Sequence, residues 1–137
     1  MKKKKKPKDL IQSIDEVFNV KVDNYFGGYD GYKIKTLRNE WLVLINNGQD
    51  CCESWGYFST PDDTSEFIGA ELLRVQIIGV DEDKYELLNG EYRNTVFANF
   101  HTSIGVFQLA VYNAHNGYYG HNIFVLNNGH EQHSSVI

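Results

Sequence analysis

The feature that most constrains the fold of this chain is a series of short apolar stretches separated by turn signals, which runs from residue 32 to residue 126. Residues 32–36 alternate apolar and polar side chains, and residues 41–45 are continuously apolar, so both stretches predict β-strands. Comparable stretches predict further strands at 51–59, 70–80, 95–102, 106–113 and 122–126. Because no long helical pattern alternates with these strands, the sequence favours an antiparallel sheet over a parallel α/β sheet.

Two segments are predicted to be helical. In residues 9–20, apolar side chains recur at helical spacing, and Asp9 can cap the first turn. Residues 61–67 begin with Pro61 and carry acidic side chains early, as expected of a single helical turn. The predicted fold class is therefore α+β: a mainly antiparallel twisted β-sheet with an N-terminal helix and a short helical turn near 62–68.

The charged residues are unevenly distributed along the chain. Six of the 13 basic residues lie in the first eight positions, and the rest of the chain holds seven basic and 18 acidic residues, for a net charge of −11. We predict a disordered lysine-rich tail at 1–8 and a single α+β domain at 9–137. Because nucleic-acid binding requires Lys and Arg to neutralise phosphates, we expect no direct nucleic-acid binding by the folded body. An acidic body suits a basic partner surface, or simply solubility.

The sequence contains neither an apolar run of about 18 residues nor the apolar stretch of a signal peptide. No membrane association is therefore predicted, and a bacterial cytoplasm is the expected location, where Cys51 and Cys52 stay reduced. Adjacent cysteines do not match the Cys-x2-Cys pairs of structural zinc sites. We therefore predict no metal site and no cofactor.

The first of two polar-aromatic clusters is Cys51-Cys52-Glu53-Ser54-Trp55-Gly56-Tyr57. On a strand, Cys51 and Cys52 face opposite sides, so a single pocket can contain only one of them. Three interpretations remain open: a core cysteine beside a half-exposed one, a thiol nucleophile activated by a histidine, and part of a binding surface. The candidate binding residues of this cluster are Cys52, Glu53, Trp55 and Tyr57.

The second cluster is Asn113-Ala114-His115-Asn116-Gly117-Tyr118-Tyr119-Gly120-His121, in which Asn116-Gly117 signals a tight turn between two strands. The segment could be a plain hairpin tip, or its two histidines could bind a metal across the loop. A third interpretation is a recognition surface, because Tyr, Asn and His combine large contact area with polar groups. The candidate binding residues here are Asn113, His115, Asn116, Tyr118, Tyr119 and His121.

Taken in order, four motifs resemble a family of small uncharacterised proteins of bacteriophages and prophages of Gram-positive bacteria. They are Gly31-Tyr32-Lys33-Ile34, the Cys51–Tyr57 cluster, Phe67-Ile68-Gly69-Ala70-Glu71-Leu72 and the Asn113–His121 cluster. The resemblance covers about residues 31–126 and leaves out the lysine-rich start. It implies no activity for this chain, but it implies a phage protein that works in the host bacterial cytoplasm. Small acidic phage proteins often act against host defence, as nuclease inhibitors or as traps for nucleotide signals.

Three functions follow from these observations. The preferred hypothesis is a non-catalytic phage binding protein in counter-defence, which forms a homo-oligomer and binds a host defence protein or a small nucleotide. A nucleotide trap would need basic residues near its stacking aromatics, and the candidates are Arg38, Arg74 and Arg93. The alternatives are a metal-binding or Cys/His-dependent enzyme and a structural or assembly protein of the virion.

Overall fold

The computed structural model describes residues 7–49, 54–80, 92–115 and 120–137. Nine β-strands run through these ranges, where the only helical element is a 3₁₀ turn at Ser65–Phe67. The strands are β1 (Ile11–Val20), β2 (Tyr29–Thr36), β3 (Glu40–Asn46), β4 (Ser54–Thr60), β5 (Leu72–Val80), β6 (Tyr92–Thr102), β7 (Gly105–His115), β8 (Asn122–Asn127) and β9 (His130–Val136).

The strands form two antiparallel sheets. The five-stranded sheet has the order β1-β2-β3-β8-β9, and the four-stranded sheet has the order β4-β7-β6-β5. Main-chain hydrogen bonds join the sheets at one corner, where the N–H of Ile11 donates to the Ala70 carbonyl and the N–H of Leu72 donates to the Asp9 carbonyl. The strand β1 therefore begins beside β5, although the two belong to different sheets.

The main hydrophobic core lies between the two sheets. It is built by alternate side chains of each strand, because successive residues of a strand point to opposite faces. Trp41 of the five-stranded sheet packs edge-on against Phe100 of the four-stranded sheet, with ring centroids 6.1 Å apart, and Phe100 stacks on Phe107 at 4.9 Å. Phe100 and Phe107 are fully buried, and burial of a large apolar side chain of this kind stabilises the fold by about 1.5–3 kcal/mol.

A smaller apolar cluster covers the other face of the five-stranded sheet. Tyr29, Leu44 and Phe124 are buried there, with Val17 and Val20 of β1 packed against them. The loop between β1 and β2 folds over this cluster and places Tyr25 against Phe124, with ring centroids 4.6 Å apart. Both faces of the central strands are therefore apolar, which explains the continuous apolar sequence of residues 41–45.

The predicted N-terminal helix and the α+β fold class are wrong, because residues 11–20 form the strand β1 and the fold is nearly all antiparallel sheet. Two β-bulges explain the misleading pattern. The pairing of β1 with β2 gains one residue on β1 between Ile11 and Ser13, and another between Val17 and Val20. Each bulge lengthens the spacing of two side chains on the same face from two residues to three, which imitates the period of a helix.

The last strand, β9, lies in a polar segment for which no strand is predicted. It pairs with β8 through its main chain, while most of its side chains are exposed. The strands from β2 to β8 lie where strands are predicted, and the 3₁₀ turn at Ser65–Phe67 lies within the predicted helical turn near 62–68. Of the lysine-rich tail, only Pro7 and Lys8 are described, and both are exposed. No helix in the described ranges has the length and apolar character needed to span a membrane.

Candidate functional site

The described members of the two sequence clusters meet at one end of the sandwich. Trp55 in β4 is directly opposite Asn113 in β7, and the ring centroid of His121 is 5.7 Å from that of Trp55. The sequence order of the clusters gave no reason for this contact, since His121 lies just before a strand of the other sheet. The structure therefore brings Trp55, Asn113 and His121 together.

Hydrogen bonds to the main chain hold His121 and Asn113 in place. His121 is buried, and its Nδ1 lies 2.7 Å from the Asn46 carbonyl oxygen, so Nδ1 carries a proton and donates it. The Nδ2 of Asn113, also buried, donates to the Ile137 carbonyl at 3.0 Å. These contacts tie β3, β7 and the end of β9 together, so both side chains organise the end of the sandwich.

Trp55 differs from its two neighbours. Its ring is half-buried, and its Nε1 is a buried donor without a hydrogen-bond partner in the described part of the chain. Burial of an unpaired donor costs about 1–3 kcal/mol.

Several residues that the sequence singles out lie outside the described residues. They are Cys51, Cys52, Glu53, Asn116, Tyr118 and Tyr119. For His115 and Arg93 only the backbone is described, in β7 and β6 respectively.

Tyr57 is in the same strand as Trp55 and lies next to a cleft between the two sheets. Its ring meets Tyr32 of β2 edge-on at 5.2 Å, and its hydroxyl donates to the carboxylate of Glu16 in β1 at 3.0 Å. The neighbouring cleft has a volume of about 480 Å³. It is lined by Ile14, Asp15, Glu16, Tyr32, Phe58, Ser59, Asp62, Asp63 and Thr64.

The cleft is acidic. Four of its nine described lining residues are Asp or Glu, all four are exposed, and none of the nine is Lys or Arg. Lys33 lies directly opposite Asp15 on the neighbouring strand, but its ammonium group pairs with Glu40 at 3.7 Å. The cleft therefore combines a strong negative charge with aromatic walls.

The ionisable groups of the cleft influence one another. Burial raises the pKa of Tyr57 well above its ordinary value, and its hydrogen bond to Glu16 and the charge of that carboxylate add to the shift. Burial also raises the pKa of Tyr32, with Glu16 and Asp62 contributing. Hydrogen bonds from Ser65 lower the pKa of Asp63. At neutral pH the phenols of Tyr57 and Tyr32 are therefore neutral, and the carboxyl group of Asp63 is ionised.

Two of the three basic candidates, Arg38 and Arg74, lie elsewhere, whereas the backbone of Arg93 in β6 is directly opposite Ala114 in β7, beside Asn113. Arg38, in the turn between β2 and β3, donates to the Pro7 carbonyl at 2.9 Å, and it lines a shallow groove of about 210 Å³ together with Arg74 and Trp41. That groove is at the start of β3, whereas His121 contacts Asn46 at its end. A strand of seven residues spans roughly 23 Å. Arg38 is therefore far from the aromatic cluster of Trp55.

The acidic cleft is not predicted from the sequence, because Asp15 and Glu16 fall in the predicted N-terminal helix and Asp62 and Asp63 fall in the predicted helical turn. The only signal in the sequence was the net charge of the body. Within the ranges that the structure describes, no group of three or more His, Cys, Asp or Glu side chains is arranged to hold a metal ion.

A family model for a domain of unknown function, DUF7448, matches residues 10–125. The chain belongs to the DUF7448 family. The matched range starts just before β1 and ends within β8, so the family model covers the four-stranded sheet, the five-stranded sheet except for the end of β8 and β9, the Trp55 cluster and the acidic cleft. No curated protein matches the chain, and no solved structure matches it either. Membership in this family carries no activity, so a function has to be argued from the site itself.

Proposed function

We propose that this protein is a non-catalytic binding protein whose acidic cleft docks onto a basic surface of a partner protein. The observation that carries the proposal is the cleft between β1 and β4, where the carboxylates of Glu16, Asp62 and Asp63 surround the aromatic rings of Tyr32 and Phe58. Carboxylates form charge-assisted hydrogen bonds with guanidinium groups, and aromatic rings stack against them. An Arg or Lys side chain is therefore the best chemical match to this cleft.

A host defence enzyme that binds nucleic acid is the partner class we favour. Such an enzyme presents Lys and Arg side chains arranged for phosphates, and an acidic protein can cover them. The resemblance to bacteriophage proteins supports this counter-defence role in the host cytoplasm. Binding to a basic enzyme surface also agrees with the net charge of −11 on residues 9–137, since charge complementarity speeds association and selects partners.

A trap for a nucleotide signal is less well supported. Its pocket would have to combine stacking aromatics with basic side chains, and Arg38 and Arg74 lie at the other end of β3 from Trp55. The enzyme and virion hypotheses stay predictions, because the cysteines lie outside the described residues and no described arrangement favours either of them.

The test compares two variants that remove the same charge. Glu16→Gln with Asp62→Asn neutralises two carboxylates of the cleft, and Asp23→Asn with Glu131→Gln neutralises two exposed carboxylates outside it. The probe is a fluorescent oligoarginine peptide, whose Kd is measured by anisotropy at physiological salt. We expect the cleft variant to raise the Kd by roughly five- to tenfold. The control variant should raise it by less than about twofold, because it changes the long-range field alone.

Equal weakening by the two variants would contradict the proposal, since binding would then reflect total charge and not the cleft. The partner class is tested separately, by capture from host lysate on immobilised wild-type protein and on both variants. A nucleic-acid-binding protein that is retained by the wild type and the control variant, but lost with the cleft variant, is the expected result. Capture that is identical on all three proteins would count against a cleft-specific partner.

A further inference from the structure

We propose that two copies of this chain associate through the outer edge of β5, in antiparallel register, to form one continuous eight-stranded sheet. The proposal concerns a different surface from the acidic cleft and does not depend on the proposed function. It starts from the strand order, in which β5 is an edge strand of the four-stranded sheet. From Leu73 to Val80, the described main chain pairs with β6 alone.

The edge of β5 lacks the features with which proteins protect sheet edges. Those features are charged side chains, Pro, short length and bulges. β5 has nine residues, and Arg74 is its single charged one. Its one irregularity is confined to the start, between Leu72 and Arg74. Two apolar side chains on it are exposed, Leu73 at 59% and Ile78 at 39%.

The other three edge strands are protected. β1 carries two bulges and the charged pair Asp15 and Glu16. β9 is polar and contains a bulge opposite the step from Val125 to Leu126. β4 is shorter than β5, with seven residues, and is followed directly by Pro61, which cannot donate a main-chain hydrogen bond. β5 is therefore the edge on which a further strand can be added.

The composition of the strand favours a second copy of the chain as the occupant. β5 contains no acidic residue, although the body as a whole has a net charge of −11, and the nearest carboxylates in the sequence are those of Glu71 before the strand and Asp81 after it. Two acidic chains repel each other least where the paired segments lack carboxylates. Within the strand, a basic partner would meet Arg74 and no carboxylate, so it would gain no attraction there.

The sequence of β5 also suits pairing with itself. Antiparallel pairing centred on Gln76 engages the residues from Leu73 to Gly79, because the Leu72 N–H already donates to the Asp9 carbonyl, and it places Val75 opposite Ile77 of the second copy on the inner face. The same register places Arg74 opposite Ile78, so the two Arg74 residues are about 13 Å apart, beyond the screening distance of about 8 Å at physiological salt. A single strand edge is a small interface, so we expect a concentration-dependent dimer and not an obligate one.

Analytical ultracentrifugation of the full chain over a range of concentrations tests the proposal. We expect wild-type protein to shift from the chain mass of 15.8 kDa to twice that mass. Leu73→Lys with Ile78→Lys should raise the dimer Kd at least about tenfold, because four added lysines meet at the paired edges. The matched control is Leu37→Lys with Ile104→Lys, which makes the same change at exposed apolar positions outside β5, and which should leave the Kd within about twofold.

Hydrogen exchange of the wild type provides the second readout. Amides of β5 should become more protected as the concentration rises, while those of β9 should not. A chain that stays monomeric at every concentration would overturn the proposal, as would a dimer that both double variants weaken equally. Concentration-dependent protection of β9 in place of β5 would overturn it as well. Circular dichroism of each variant verifies that it remains folded.

Discussion

At the scale of single residues, Gly31 shows how one position in β2 controls the pairing of two strands. Its φ angle is +156°, and a Cβ there would come within 1.9 Å of the Val43 carbonyl oxygen on β3. That oxygen belongs to the main chain of a buried strand and cannot move without disturbing the sheet. Gly31 therefore allows β2 and β3 to approach at the centre of the five-stranded sheet.

We expect Gly31→Ala to reduce the free energy of unfolding by about 2–3 kcal/mol, because the added methyl group overlaps the Val43 carbonyl. Urea denaturation followed by tryptophan fluorescence measures the change. The control is Gly79→Ala, since nothing lies within 4 Å of a Cβ at that position. If the Gly31 variant were as stable as the Gly79 variant, the close approach of the two strands would be incorrect.

The phenol of Tyr57 gives a pH-dependent prediction. Its pKa is raised in the folded protein by burial and by Glu16, so the folded state holds this proton more tightly than the unfolded chain does. Stability from this group is full below the ordinary tyrosine pKa of about 10 and falls as the pH rises above it. We expect the midpoint of urea unfolding to decrease with pH above about 10, and Tyr57→Phe to reduce that slope. An unchanged slope in the variant would rule out Tyr57 as its source.

At the scale of elements, β1 shows why the strand pattern could be predicted only in part. β3 and β8 are continuous apolar runs because both of their faces are covered, and short apolar runs identify such strands. In β1, Ile11 and Ile14 face the main core and Val17 and Val20 face the outer cluster. Bulges are set by tertiary packing, so they could not be predicted from the order of residues in β1. β9 was not predicted because most of its side chains are exposed, and an edge strand with few buried side chains has no hydrophobic pattern.

The candidate site, like the strands, could be predicted only in part. Trp55, Asn113 and His121 could be selected from the sequence because polar and aromatic residues were unusually dense around them. Their contact depends on how the start of β8 meets β4 and β7, which the order of residues along the chain does not show. The acidic cleft depends on β1 lying beside β4 and could not be predicted while β1 was taken for a helix.

His121→Ala tests how far this end of the sandwich depends on one side chain. The substitution removes the hydrogen bond to the Asn46 carbonyl and the ring beside Trp55. We expect a loss of about 2–3 kcal/mol in the free energy of unfolding, because a buried acceptor loses its donor and a cavity forms. His130→Ala in β9 is the matched control, since His130 is exposed, and it should change stability by less than about 0.5 kcal/mol. Similar losses in the two variants would contradict the structural role of His121.

At the scale of the whole molecule, the strands of the two sheets differ in charge. The strands of the five-stranded sheet include Asp15, Glu16, Asp30, Glu40 and Glu131, whereas the four-stranded sheet has no acidic residue in any strand. The acidic cleft lies where the first sheet meets β4, and its four carboxylates concentrate negative charge there. The local field of the cleft therefore draws a basic partner toward it.

This field predicts how the rate of association depends on salt. For the oligoarginine peptide, we expect the association rate constant to fall as ionic strength rises, while the dissociation rate constant changes less. Stopped-flow fluorescence measures both. The double variant Glu16→Gln with Asp62→Asn should show a shallower salt dependence of association than the wild type. A salt dependence found only in dissociation would show that long-range steering is absent.

The strand order of the four-stranded sheet has a consequence for avidity. β4, which borders the acidic cleft, and β5 are the opposite edges of that sheet. A dimer joined through β5 would therefore carry its two clefts at the far ends of eight strands, seven interstrand steps or roughly 34 Å apart. Such a dimer is bivalent, and a partner with two basic sites at that spacing would be held by both clefts at once. Its affinity could then exceed that of a single cleft by about 100-fold or more without any new contact.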